Sequence, residues 1–209
     1  MKQPIQVAQS LIQPKKILLL AGLISMSLAA LGGVQQLVRA YESEETSVAS
    51  ALDWSGASFP VEDFLEYTSP FGYRASGFHY GLDMAAPQGS YIRNWWAGKV
   101  VEVWEDGRCG TGIAIDSGRW THIYCHVQGQ VSQDNQGRYF MDRQGGLLLR
   151  EGQMVEAGAR IARVGMTGRT TGPHLHWGLK YDGRWVDPGR VLVAMYNQQN
   201  QRLSQRSGQ

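Results

Sequence analysis

Four residues in two short segments have the types and spacing for hydrolytic metal chemistry: His79 and Asp83 in His79-Tyr-Gly-Leu-Asp83, and His174 and His176 in Gly172-Pro-His174-Leu-His176. A zinc ion that hydrolyses bonds takes three nitrogen or oxygen ligands from the protein and leaves a fourth position for water. Two histidines and one carboxylate meet that count. The second segment follows Gly165-Met-Thr-Gly168-Arg-Thr-Thr-Gly172-Pro173, a turn-rich stretch that should halt the chain and launch a short strand at His174. Side chains two apart on a strand share a face, so one histidine can bind metal while the other serves the reacting water. A pair of surface histidines on an edge strand would show the same spacing.

These segments belong to a series of blocks: Ser69-Pro-Phe-Gly-Tyr-Arg74, His79 to Gly89, Ile123-Tyr-Cys-His126-Val127, Gly165-Met-Thr-Gly168 through His174-Leu-His176-Trp177, and Trp185-Val-Asp-Pro188. In this order, over roughly 120 residues, the chain resembles the lysostaphin-like zinc peptidases, a family of cell-wall endopeptidases. The resemblance implies a mainly β (β-rich α+β) fold whose antiparallel sheets form a groove with one Zn2+ ion. It also implies that His79, Asp83 and His176 bind the metal, that His126 and His174 flank the water and the scissile carbonyl, and that peptidoglycan is the substrate.

The chemistry of those positions follows from their side chains. Zinc lowers the pKa of water toward neutrality, and an imidazole at His174 can take the remaining proton and pass it to the leaving amine. His126 would donate a hydrogen bond to the oxyanion, a role whose loss costs about 10² to 10³ in rate. Which of the two is the principal base stays open. In Thr121-His-Ile-Tyr-Cys-His-Val127, alternation places His122, Tyr124 and His126 on one face and Ile123, Cys125 and Val127 on the other. With the apolar set on the core, His126 faces a cleft, Tyr124 becomes a candidate substrate contact, and His122 reads as a rim or hydrogen-bonded strand histidine.

Composition fits an exported single-domain enzyme. Twenty-six glycines and seven prolines punctuate short runs of Val, Ile, Tyr and Trp, which predicts a strand-rich fold with few, short helices. Lys2, Lys15 and Lys16 precede an uncharged run over 17–34, and no acidic residue appears before Glu42. Residues 1–40 therefore read as an export signal, with cleavage after Ala40, or as a retained membrane anchor through 17–34. Either places the enzyme in the periplasm or cell envelope. The first forty residues hold four of the twenty basic groups and none of the eighteen acidic ones, leaving a net charge of −2. With no basic run longer than two residues, nucleic acid is not an expected partner.

The segment over 41–56 reads as a linker, 57–196 as the peptidase domain, and 197–209 as a polar disordered tail. Cys109 and Cys125 flank a predicted hairpin. A three-residue Asp116-Ser-Gly118 loop sets them side by side for a disulfide, whereas a two-residue loop shifts the register and separates them. Two departures from the family pattern bear on specificity. Only four residues lie between Arg74 and His79, and the connection over 128–150 is long, with a predicted hairpin pairing Arg138–Met141 with Leu147–Leu149. Trp95, Trp96 and Trp104 could stack on sugar rings, but at least two of them are expected in the core. Two other functions fit the pattern less fully: cleavage of glycine-rich secreted protein, and a non-hydrolytic role as a cell-wall amidase regulator, which the intact ligand set argues against.

Overall fold

The structure, a computed structural model, describes residues 33–37, 39–40 and 53–207. Residues 33–37 and 39–40 are helical and exposed, and no helix among the described residues is long and apolar enough to cross a membrane. Nearly all of the predicted leader and residues 41–52 of the predicted linker lie outside the described residues.

A 3-10 turn at Trp54–Gly56 opens the folded domain. Sixteen strands follow, namely β1 (Glu66–Ser69), β2 (Gly72–Arg74), β3 (Gly77–His79), β4 (Leu82–Ala85), β5 (Tyr91–Arg93), β6 (Gly98–Asp106), β7 (Gly110–Ser117) and β8 (Trp120–Cys125), then β9 (Val127–Gln128), β10 (Gln130–Asp134), β11 (Gly137–Asp142), β12 (Leu147–Arg150), β13 (Met154–Val155), β14 (Arg160–Val164), β15 (His174–Tyr181) and β16 (Arg184–Val186). The main sheet is antiparallel in the order β1-β4-β15-β8-β7-β6-β13, with β16 beside the second half of β15. Smaller sheets are β10-β11-β12, β5-β14-β9 and the hairpin β2-β3.

Alternation along β15 decides where its histidines point. Leu175, Trp177 and Leu179 are fully buried on one face, which turns His174 and His176 to the other. Both edges of this strand are occupied: His174–Trp177 pair with β4, Leu179–Tyr181 with β16, and the opposite edge pairs with β8.

The strand β8 runs against expectation. His122 and Tyr124, not Ile123, face the core, and both are fully buried. Buried polar groups persist where they are hydrogen-bonded. Here His122 Nε2 meets Ser117 Oγ at 2.8 Å, His122 Nδ1 meets the Tyr124 hydroxyl at 2.8 Å, and that hydroxyl accepts the Trp95 N–H at 2.9 Å. Tyr124 is therefore a core residue and touches no cleft.

The β7-β8 turn holds two residues, Gly118 and Arg119, with Ser117 opposite Trp120. Gly118 at φ +80° suits a two-residue hairpin, so of the two loop lengths left open the shorter one forms. Cys109 and Cys125 are nevertheless disulfide-bonded, because Cys109 sits on a turn before β7 rather than in its ladder.

The described parts of both predicted flanks, residues 53–56 and 197–207, contact the body of the domain. Trp54 is buried against Trp95 and Trp120, at ring separations of 5.4 and 5.8 Å. The expected disordered tail is helical as part of Pro188–Ser207, a twenty-residue helix longer than the short helices anticipated. Asp187 accepts the Gly189 N–H at 2.8 Å and Pro188 supplies the first position, a favourable helix start. Val191, Leu192 and Met195 anchor one face, and Gln199 donates to the Trp54 and Ala57 carbonyls.

The long connection forms the predicted hairpin, with Phe140 opposite Leu149, and adds β10 to it. Phe140 and Leu149 join the core, and Arg163 holds the buried Asp142 carboxylate with two hydrogen bonds. Among the tryptophans, Trp95 is fully buried, Trp96 packs against the core, and Trp104 is half-buried with its indole N–H on Asp106.

Candidate metal centre

His79 ends β3, Asp83 lies on β4, and His176 lies directly opposite Asp83 on β15. Their ligand atoms all fall within 4.8 Å of one another. His79 Nε2 and His176 Nδ1 are 3.0 Å apart and lie 3.0 and 2.8 Å from Asp83 Oδ1. Tetrahedral zinc with bonds of about 2.0 to 2.1 Å places its ligands about 3.3 Å from each other, so the spacing and the two-imidazole, one-carboxylate donor set fit that ion. His79 Nδ1–H donates to the Pro70 carbonyl at 2.7 Å, which leaves Nε2 as the free nitrogen facing the centre.

Burial by itself would raise the Asp83 carboxyl, but the His176 and His79 ring nitrogens beside it outweigh this when those rings are protonated, and hold the group well below the usual carboxylate range. The carboxylate is thus ionised and ready to bind a cation. Arg74 lies 3.9 Å from Asp83 Oδ2, on the side away from the histidines.

The other two predicted histidines join the same site. His174 Nδ1 lies 2.8 Å from the Gly172 carbonyl, and its Nε2 lies 3.7 Å from Asp83 Oδ1. His126 Nδ1 lies 2.9 Å from the Thr167 carbonyl, and its ring is 4.8 Å from that of His174. A carbonyl only accepts, so in both rings Nδ1 carries the proton and Nε2 presents a lone pair when the ring is neutral. Burial lowers the His126 pKa, partly offset by its bond to Thr167. The expected oxyanion-donor role of His126 therefore requires that ring to gain a proton first.

His126 reaches the cleft by a route that alternation misses. It is the residue after β8, with φ +61°, and that left-handed turn swings its side chain out of the register of the buried His122 and Tyr124. Sequence reasoning also missed Gly81 and Thr167. A Cβ on Gly81 would sit 2.6 Å from the His176 ring, so the glycine makes room for a ligand. Thr167 supplies the carbonyl for His126, and its hydroxyl donates to Val127 O and accepts the Thr111 N–H.

Known proteins are similar to this chain over the region that carries these residues. The chain is 32% identical over 139 residues to the DD-carboxypeptidase/endopeptidase Mpg of Neisseria meningitidis, covering 63% of this chain and 28% of that protein. It is 32% identical over 129 residues to the peptidoglycan DD-endopeptidase ShyB of Vibrio cholerae, covering 60% and 26%. The chain thus matches little more than a quarter of these relatives' lengths. A zinc-containing peptidase from Vibrio cholerae has 29% identity and a TM-score of 0.50, covering 66% of this chain and 38% of that one. Lysostaphin from Staphylococcus simulans shares the fold at a TM-score of 0.50 and 23% identity, covering 62% and 50%. The family model for peptidase family M23 matches residues 77–188, a span that holds all five histidine and aspartate positions of the centre; the chain belongs to that family.

Proposed function

We propose that this protein is an exported zinc metalloendopeptidase that hydrolyses peptide bonds in the stems or cross-bridges of peptidoglycan. The reading rests on one observation: His79, Asp83 and His176 converge within 4.8 Å, while His126 and His174 each have Nδ1 tied to a backbone carbonyl and Nε2 left free beside them. The relatives named as peptidoglycan DD-endopeptidases support the substrate class.

Zinc bound by His79, Asp83 and His176 would lower the pKa of a water and polarise the carbonyl under attack. His174 Nε2, which lies 3.7 Å from Asp83 Oδ1, would accept a proton from the attacking water and pass it to the departing amine. Its bond to Gly172 fixes the tautomer that makes this possible. His126, once protonated at Nε2, donates to the carbonyl oxygen as negative charge develops there.

The experiment is digestion of purified peptidoglycan from walls with different cross-links, using zinc-loaded protein, the His174→Ala variant and a chelated sample. Release of cross-link fragments by the loaded wild type alone is the expected result and identifies the bond. No release from any wall, with one equivalent of zinc bound, would overturn the peptidoglycan assignment and point to a protein substrate or a regulatory role.

A further inference from the structure

We propose that the Cys109–Cys125 disulfide and the turn it anchors, Gly107–Gly110, are a positioning clamp for His126 and for the loop that leads to His174. The redox state of this one bond then sets the turnover of the hydrolysis proposed above, on which the inference rests. Cys125 is the last residue of β8 and lies opposite the metal-ligand position His176 on β15. The next residue, His126, takes up a left-handed conformation that a non-glycine side chain adopts only when its surroundings impose it.

Three contacts impose it. His126 N–H donates to Cys109 O at 2.8 Å, His126 O accepts from Gly165 N at 3.0 Å, and the ring Nδ1–H donates to Thr167 O. The same turn grips the loop over 165–172. Arg169 N–H donates to Arg108 O at 3.0 Å, and Thr111 N–H donates to the Thr167 hydroxyl at 2.9 Å. Gly110 meets the loop backbone so closely that a Cβ there would lie 2.2 Å from the Thr167 carbonyl carbon, and one on Gly168 would lie 2.2 Å from Gly110 N. Gly172 at the far end of that loop accepts the Nδ1–H of His174. One turn thus holds His126 directly and grips, through Thr167, Gly168 and Arg169, the loop that ends at the Gly172 carbonyl on His174.

The shape of the turn does not come from the disulfide. Asp106 Oδ1 accepts the N–H groups of Arg108 and Cys109, and its other oxygen accepts the Trp104 indole. What the covalent bond adds is the tether between this preformed turn and the end of β8. Reduction should therefore leave the fold standing and release the clamp. Cys109 is half-buried while Cys125 is buried, so the approach to the bond is from the Cys109 side. A phosphine and one water suffice: the phosphine takes up the water oxygen and gives two electrons, the S–S bond breaks, and each sulfur gains one proton.

The test uses the full zinc-loaded chain in oxidised and phosphine-reduced forms, beside the Cys109→Ser/Cys125→Ser variant. Reduction is expected to lower kcat by about tenfold to a hundredfold, the scale of a displacement near one ångström, with KM little changed and zinc still bound at one equivalent. The His126 Nδ1–H proton resonance should broaden or vanish on reduction, and reoxidation should restore both signal and rate. Undiminished kcat, or an unchanged resonance after complete reduction, would overturn the clamp. If the serine variant fails to fold, reduction of the folded wild type still decides. If no wall is hydrolysed even by the oxidised protein, the function reading fails, while the resonance still decides whether the disulfide positions His126.

Discussion

Moving from pH 7.5 to pH 5 should cost the folded domain about 2 kcal/mol through His122 alone. This side chain has no exposed surface, and burial pushes its pKa down to about 3. In the unfolded chain a histidine titrates near about 6.5. Below that value the unfolded state takes up a proton that the native state refuses, so stability is complete above pH 6.5 and falls as pH drops toward the folded pKa. Each pH unit costs about 1.4 kcal/mol, and the one and a half units between 6.5 and 5 give about 2 kcal/mol. Urea unfolding of the wild type and of His122→Gln at both pH values isolates the effect, since metal release and the other histidines act on both proteins alike. The gap between the two should shift by about 2 kcal/mol in favour of the variant at pH 5. A gap that stays constant would refute the reasoning, because His122 would then bind its proton in the folded state.

Gly81→Ala should weaken zinc binding about 10- to 100-fold by displacing the His176 ring, read by competition with a chromophoric chelator; unaltered affinity would mean the ring has room to move. Arg163→Met should cost about 3 to 5 kcal/mol by stranding the buried Asp142 carboxylate, and Asp142→Asn in the same chain should recover much of the loss in urea unfolding. A polar cleft lined by Gln128, Gly129, Gln130, Met141, Asp142 and Arg143 lies within the long connection over 128–150. If it contacts the wall, Arg143→Ala should raise KM severalfold while kcat and the unfolding midpoint hold. Deleting residues 132–146 would be a poorer test, since it would strip Phe140 from the core.

The residues of the candidate metal centre were legible because their spacing is local: His79 and Asp83 span one turn, and His174 and His176 share a strand face whose opposite side is plainly apolar. From His122 to Tyr124 alternation separated two faces but misjudged which one is buried, and it did not hold through Val127, which is buried as well. The partners that make His122 and Tyr124 acceptable inside, Ser117 and the Trp95 N–H, come from other segments, so composition of the strand alone pointed the wrong way. His126 was assigned to the cleft for a reason the backbone does not use, since a positive φ rather than alternation turns it. A short helix was expected before residue 197, but its continuation through 197–207 was missed, because the glutamines there look like solvent-facing residues until Trp54 and Ala57 present carbonyls for one of them.

That last contact has an architectural consequence. Asp53 at the start of the domain bonds to Arg202 near the end of the helix, at 2.9 Å, so the chain enters and leaves the fold at neighbouring points. A domain whose two ends meet can be mounted within a longer polypeptide, or exchanged between polypeptides, without being stretched open. The relatives, several times longer than the segment they share with this chain, are what such portability would produce.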